Sequence, residues 1–354
     1  MPERILRRIQ ITGGSTFIVS LPKGWVRSVG LKAGDYVVVQ PQPDGSLRVV
    51  PAKSFRPQAF KTSFVVHKGM NPNAITREFV ARYLAGYDII RVSFEDLSPS
   101  YRSVIKDVLK KMIGVEIIEE LTDSIVVQCL AKPSELPVRV AIRRMSNLAL
   151  YMLTDFIRAV DEGNLELLQG MDERDDNVDR FYKFILRQLK MVTLGIIQPS
   201  DVGLNDLREC LGFRLVIKSI ERIADHVVNA SNCVLQLRAL PEAEAKERIV
   251  KFGREVSQLF SKSMRSLFDL NVKLAHEVAD SIEGVEAEES DIIGHIMLRC
   301  EDVRCAVMLR LVIESLKRIA DYSVDIAEIA MNLAVESPML AQVRASASGR
   351  SPKP

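Results

Sequence analysis

A duplication constrains the fold of this chain more than any other feature. IERIADHVVNAS at residues 220–231 returns as LKRIADYSVDIA at 316–327, so R-I-A-D recurs at an offset of 96. Upstream, DDNVDRFYKFI at 175–185 is matched more loosely by EESDIIGHIM at 288–297. Between residue 137 and about 337, apolar side chains recur at helical spacing. Glycine and proline fall at joints, namely Gly163, Gly195, Pro199, Pro241 and Gly284, while Gly212 and Gly253 are read as lying inside helices. Six helices are expected, over 137–162, 164–194, 201–238, 242–278, 281–297 and 301–336. They compose two tandem three-helix bundles filling 136–337, each supplying one packed unit.

The residues ahead of the bundle read differently. In residues 1–52, strands over 5–11 and 16–21 flank Gly13-Gly14, a pair that tolerates the positive φ of a tight turn. Pro22 then opens a short helix that Gly30 ends. Strands over 35–40 and 46–50 surround a second turn with Pro41, Pro43 and Asp44-Gly45. So few residues make a small core, and a dimer sharing one β-barrel is expected. Residues 53–135 form a linker and then an α+β module. Its strands fall at 63–67, 88–94, 116–121 and 124–130, with helices at 73–85 and 100–113 stopped by Gly86 and Gly114 and with Ser98 as a cap. The Ser-, Ala-, Arg- and Pro-rich end, 338–354, is expected to be disordered. The whole is a mainly α, multidomain chain.

The formal charge of +2, from 48 basic and 46 acidic side chains, conceals an asymmetry. Residues 1–52 carry a balance of +4, 53–135 of +2 and the remainder of −4, so a basic head joins an acidic body. Five scattered cysteines without a C-x-x-C pair fit reduced thiols in a cytoplasm. MPERILRRIQ carries charges where a signal peptide needs an apolar run, and no apolar stretch is long enough to insert in a membrane. A cytoplasmic location is expected.

The acidic pairs carry the bundle's chemistry. Asp175 and Asp179 are four apart, as are Glu221 and Asp225, so each pair shares a helix face one turn apart, with Asp172 and Asp176 nearby. Two such faces brought together make a carboxylate cluster that a divalent or trivalent cation would balance. Hard oxygen ligands suit Mg²⁺, Ca²⁺ or Mn²⁺, and His226 beside the cluster leaves zinc and iron open. The alternative is a solvated acidic face paired with Arg174, Arg180, Lys183 and Arg222. In the second repeat Glu288, Asp291 and His295 share one face, expected to lie opposite Asp321 and Asp325. There Lys317 stands in the place of Glu221, an ammonium able to neutralise the carboxylates itself.

No di-iron Glu-x-x-His pairing, phosphate-binding glycine loop or nucleophile elbow is present, and His67 and His276 are single. Catalysis is not expected. In the head, Arg4, Arg7 and Arg8 lie on or near the first strand, and Lys23, Arg27 and Lys32 on or beside the short helix. A two-fold dimer doubles them into one positive surface suited to DNA phosphates. A solvated basic surface on a dimerisation module is the competing reading.

Residues 7–51 resemble AbrB-type swapped-hairpin domains, on S-T-F-I-V-S-L-P-K-G-W at 15–25 and G-L-K-A-G-D-Y-V-V-V at 30–39. That resemblance implies an intertwined dimeric barrel that binds DNA, with Arg7, Arg8, Lys23 and Arg27 at the contact positions. The bundle resembles PhoU-type phosphate-signalling proteins, most closely at ERIADHVVNAS, 221–231. This implies metal at the acidic faces (Asp175, Asp179, Glu221, Asp225) and contact with a phosphate transporter's ATPase. The pairing is similar to archaeal phosphate-uptake regulators that fuse both modules. It implies a non-enzymatic, homodimeric transcriptional regulator of phosphate homeostasis. The alternative is a transporter modulator whose head serves only to dimerise it.

Overall fold

The structure, a computed structural model, describes residues 5–41, 45–52, 59–237 and 242–335. The tail at 338–354, most of the linker, Arg4, Pro43, Asp44 and Pro241 lie outside the described residues. The chain divides into two compact units, the head and residues 59–336.

In the head, β1 (Gln10–Thr12) pairs antiparallel with β2 (Thr16–Ile18), Thr12 opposite Thr16. Gly13 and Gly14 turn the chain at φ of 59° and 83°. The strands are shorter than their apolar patterns. Pro22 precedes α1 (Lys23–Ser28), and Gly30, at φ 70°, takes the chain out of it. β3 (Val37–Pro41) and β4 (Leu47–Pro51) form a second antiparallel pair. No barrel closes within one chain among the described residues. None of the described head residues is buried, and Leu6, Phe17 and Tyr36 are 96%, 71% and 82% exposed.

The second unit begins with a four-stranded sheet in the order β5-β6-β8-β7. β5 (Lys61–Val66) lies parallel to β6 (Ile89–Phe94), joined by α2 (Pro72–Leu84). α3 (Pro99–Lys110) leads to β7 (Val115–Glu120) and β8 (Ser124–Cys129), an antiparallel hairpin whose β8 inserts beside β6. Asn71 caps α2 by accepting from the Asn73 amide at 2.8 Å. Ser98 occupies the cap position of α3 without bonding its backbone and meets the Ser100 hydroxyl instead, 2.8 Å away. Val66, Ile75, Phe79, Val92, Ile105 and Ile125 form a fully buried core between sheet and helices.

Gly114 has both a steric and a conformational reason to be glycine. Its φ is 66°, and a Cβ there would sit 2.3 Å from the Cβ of Ala131. Gly114→Ala is expected to cost about 2–4 kcal/mol in urea unfolding, combining left-handed strain with overpacking. A loss below about 0.5 kcal/mol, the usual range for a neutral surface change, would contradict that reading.

The bundle comprises α4 (Val138–Glu162), α5 (Met171–Thr193) and α6 (Arg208–Leu235) in the first repeat. The second holds α7 (Ala243–Asp269), α8 (Val272–Asp280), α9 (Ile282–Arg299) and α10 (Val303–Ala334). The helix expected over 242–278 breaks at Leu270, whose φ of 48° is the only positive non-glycine value among the described residues. Asn271 then caps α8 by accepting from the Leu274 amide at 3.0 Å. α5 and α6 start later than their apolar patterns. A single 3₁₀ turn (Leu165–Leu168) and Gly170 precede α5, while a second (Pro199–Val202) and Gly203 precede α6.

One contiguous core runs through both repeats, rather than one core in each. α6 and α10 cross antiparallel: a Cβ on Gly212 would meet Leu333 at 3.1 Å, and the His226 and Tyr322 rings lie 5.8 Å apart. This contact explains why the duplication extends further than R-I-A-D. FRLVIKSIERIAD at 213–225 aligns with LRLVIESLKRIAD at 309–321. The paired positions Val216/Val312, Ile217/Ile313, Ile220/Leu316, Ile223/Ile319 and Ala224/Ala320 are all fully buried. Gly253 fulfils its expected place inside a helix, since a Cβ there would lie 2.9 Å from Ile157 on α4.

The sheet module is fastened to the bundle by two buried polar residues of α5. Arg187, 4% exposed, donates to the Tyr83 carbonyl, to the Gly86 carbonyl at 3.2 Å and to Asp88 Oδ1 at 3.0 Å. Its guanidinium also stacks 5.0 Å from the Tyr83 ring. Gln188 donates to the carbonyls of Pro133 and Leu136 at 3.2 and 2.9 Å.

Candidate functional site

The expected first acidic face forms. α5 contributes Asp175, Asp176 and Asp179, and α6 contributes Glu221 and Asp225. Burial, and after it the charges of Asp225, Asp179, Glu221 and Asp176, push the Asp175 carboxyl up to about 7. Burial and the neighbouring Glu221 also raise Asp225. Asp175 Oδ1 is buried with no hydrogen-bond partner among the described residues, an acceptor left open to a cation, a proton or a water.

Three ammonium groups oppose this face. Lys183 Nζ lies 2.6 Å from Asp179, Lys218 Nζ 2.6 Å from Glu221 Oε1, and Lys111 Nζ 2.8 Å from Asp176. The first two follow from helical spacing. Lys111 follows α3 in the sheet module, 65 residues from its partner, and no local pattern reveals it. Hard oxygen ligands of this kind suit a hard cation. Among the described residues, however, Asp175, Asp179, Glu221 and Asp225 do not bring three ligand atoms within 4.8 Å of one another. Holding a cation there would require Asp179 and Glu221 to leave their lysine partners and the four side chains to converge.

Asp175 gives this face a pH signature. Its folded pKa lies above the ordinary value of 3.8, so the native state binds more protons than the unfolded state between the two values. Stability therefore falls as pH rises through that window, and the penalty is complete above about 7. Asp175→Asn is expected to raise metal-free stability relative to the parent at alkaline pH and to leave it unchanged in acid. Urea midpoints across pH test this, and an equal gain at every pH would contradict it.

The second repeat departs from expectation. Glu288, Asp291 and His295 share a face of α9, but their partners come from α7 and the residue before it. Lys251 meets Glu288 at 3.0 Å, Arg248 meets Asp291 at 2.6 Å, and His295 Nε2 meets Glu242 at 3.0 Å. Glu242, Glu244 and His295 form the only group of three such ligand atoms within 4.8 Å of one another among the described residues. The groups that reach α10 are Glu286 and Glu289, on the other flank of α9's buried Val285–Ile292–Ile296 stripe. Either flank of that stripe could have faced α10, which is why spacing alone misassigned it.

Lys317 Nζ bonds Asp321 at 2.8 Å and Glu286 at 3.4 Å, and so performs the neutralisation its position suggested. In the aligned repeats the order is inverted, Lys218 and Glu221 against Glu314 and Lys317. Asp325 is raised by burial and then by Glu328 and Asp321. His226 lies toward this second face. Burial lowers its pKa first, followed by Arg318, while Glu314 and Asp321 pull upward. In the head, Arg7, Arg8, Lys23 and Arg27 are all exposed.

Fold and site together define a duplicated, carboxylate-faced helical bundle carried with a basic β-hairpin head. The chain matches the PhoU domain over residues 142–234 and 249–330. Residues 10–57 match the antidote-toxin recognition family of MazE, a bacterial antitoxin. The AbrB-like head and PhoU-like bundle expected from sequence are thus both present.

A phosphate-specific transport system accessory protein PhoU homolog of Clostridium acetobutylicum is 22% identical over 189 residues, 52% of this chain and 85% of that one. PhoU homolog 2 of Thermotoga maritima is 25% identical over 184 residues, 51% of this chain and 77% of its own length. The crystal structure of PhoU from Pseudomonas aeruginosa aligns with a TM-score of 0.51 at 21% identity, covering 55% of this chain and 94% of that one. The phosphate transport system regulatory protein PhoU from Streptococcus pneumoniae aligns at 0.50 and 19%, covering 56% and 96%. These two likenesses establish the fold of the bundle. Among the described residues, no helix is long and apolar enough to cross a membrane.

Proposed function

We propose that this protein is a dimeric, DNA-binding regulator of phosphate uptake whose bundle carries the signal input. The observation that carries the reading is the union, in one chain, of a MazE-type head and a PhoU domain pair. The exposed apolar side chains of the head, Leu6, Ile9, Ile11, Phe17 and Val39 among them, support dimerisation. Isolated hairpins cannot bury such side chains, and a second copy closing a shared barrel would. That closure gathers two sets of Arg7, Arg8, Lys23 and Arg27 on a surface matched to DNA phosphates. The first acidic face takes a divalent cation, and the bundle is the element that would meet a phosphate transporter's ATPase.

The head's apolar exposure equally favours a second reading, a transporter modulator whose head only dimerises it. Gel shifts with DNA upstream of phosphate-transport genes separate the two. A sequence-preferring complex that weakens steeply with salt supports the regulator. A stable dimer that leaves all such DNA unshifted supports the modulator.

A further inference from the structure

A groove of about 200 Å³ lies along the seam between α4 and α7, the first helices of the two repeats. These helices run antiparallel, since Gly253 faces Ile157 at mid-seam and Arg143 faces Phe268 at one end. Across the groove, Arg143 and Asn147 on α4 oppose Ser261 and Arg265 on α7, each pair one turn apart. The rim therefore offers two guanidinium groups, an amide and a hydroxyl, over an apolar floor that includes Phe260 and Met264.

The Arg143 guanidinium lies over the Phe268 ring, 4.2 Å from its centroid, and no carboxylate pairs with it among the described residues. That stacking fixes the planar fork before any ligand arrives. One acid reaches the rim, Asp269, at the long limit of an ion pair with Arg265, 3.8 Å from its Nε.

The other end of the same seam provides an internal contrast. There Arg254 is satisfied by Asp161 at 2.6 Å, and Lys246 donates to the Asp161 carbonyl at 3.1 Å. A second groove, between α7 and α9, is lined by Glu244, Glu247, Glu288 and Asp291 against two cations and is unsuited to an anion. Of these places, the Arg143 end combines a stacked guanidinium that has no carboxylate partner among the described residues with room for a small ligand.

We propose that this groove binds a tetrahedral oxyanion, either inorganic phosphate or the phosphate group of a small phosphomonoester. Its volume suits such a ligand and falls below that of the usual pocket for larger molecules. Arg143 supplies the bidentate fork, Arg265 the second charge, and Asn147 and Ser261 neutral donors. The inference goes beyond DNA binding. Loss of oxyanion binding would leave operator binding standing, and the reverse holds too.

Equilibrium dialysis of the full chain, freed of metal by chelation, against inorganic phosphate and separately against glycerol phosphate tests the proposal. Saturable binding is expected, and the tighter of the two probes identifies the source. Arg143→Gln and Arg265→Gln are each expected to weaken it on the order of tenfold or more. Arg143→Lys keeps the charge but loses the fork and is expected to restore only part. Asp269→Asn should tighten binding, while Arg254→Gln at the opposite end of the seam should leave it unchanged. No saturable binding of either probe, or binding indifferent to both Arg143→Gln and Arg265→Gln, would overturn the assignment.

Discussion

Replacing Arg187 with alanine is expected to lower the unfolding free energy by about 2–4 kcal/mol, chiefly through lost side-chain packing and two carbonyls left without their charged donor, since Asp88 itself is 31% exposed. The substitution strands Asp88, which also accepts from the Phe60 amide at 3.0 Å, and leaves the Tyr83 and Gly86 carbonyls without their charged donor. Burial already holds the Tyr83 phenol well above its usual range, and its hydroxyl has no partner among the described residues, so the junction already carries one unsatisfied polar group. Because Arg187 fastens the sheet module to the bundle, hydrogen exchange should rise first at α2 and β6, ahead of α6 and α10. Arg187→Met with Asp88→Asn should recover much of the loss, because volume is retained and no charge is left unpaired. A single cooperative transition shifted by less than about 1 kcal/mol, the net value of an ordinary hydrogen bond, would show that apolar packing alone holds the junction.

The second large effect concerns the head. Arg8→Ala with Arg27→Ala removes four cationic side chains from a dimer. If all four touch phosphates, the slope of log affinity against log salt falls by about 3.6. Affinity at roughly 0.1 M salt then drops by about three decades. Both side chains are exposed, so stability and dimerisation should be unaffected, as sedimentation would show. An unchanged salt slope would remove these residues from the DNA interface. Loss of the dimer as well would assign them to the subunit contact instead.

What the sequence reveals follows the range of the interactions involved. Helix existence was legible because the Ile, Leu and Val positions of α6 and α10 repeat with the helical period and again at the offset of 96. The α7–α8 break was not, because Leu270 adopts a conformation typical of glycine and only Asn271, as a cap, hints at it. Asp175 with Asp179, and Glu221 with Asp225, were accessible as pairs because helical spacing sets each on one face; that α5 and α6 bring the two pairs near one another is supplied by the packed structure. The facing of α9 was not, since Glu286 and Glu289 flank the same buried stripe as Glu288 and Asp291. Lys111 and Arg187 act across 65 and about 100 residues, where only the packed tertiary structure supplies the partner.

The physical division of labour is between charges of opposite sign. Arg7, Arg8, Lys23 and Arg27 in the head are exposed, while Asp176, Asp179 and Glu221 in the bundle are paired with lysines. The proposed oxyanion groove adds a second input on the bundle, distinct from the carboxylate faces.

Mapping the protein's genomic occupancy in phosphate-replete and phosphate-starved cells tests the regulatory reading most directly. Occupancy concentrated upstream of phosphate-transport genes, changing with phosphate and abolished by Arg8→Ala with Arg27→Ala, is the expected result. Occupancy that is absent, or that is indifferent to both phosphate and the arginines, would contradict it.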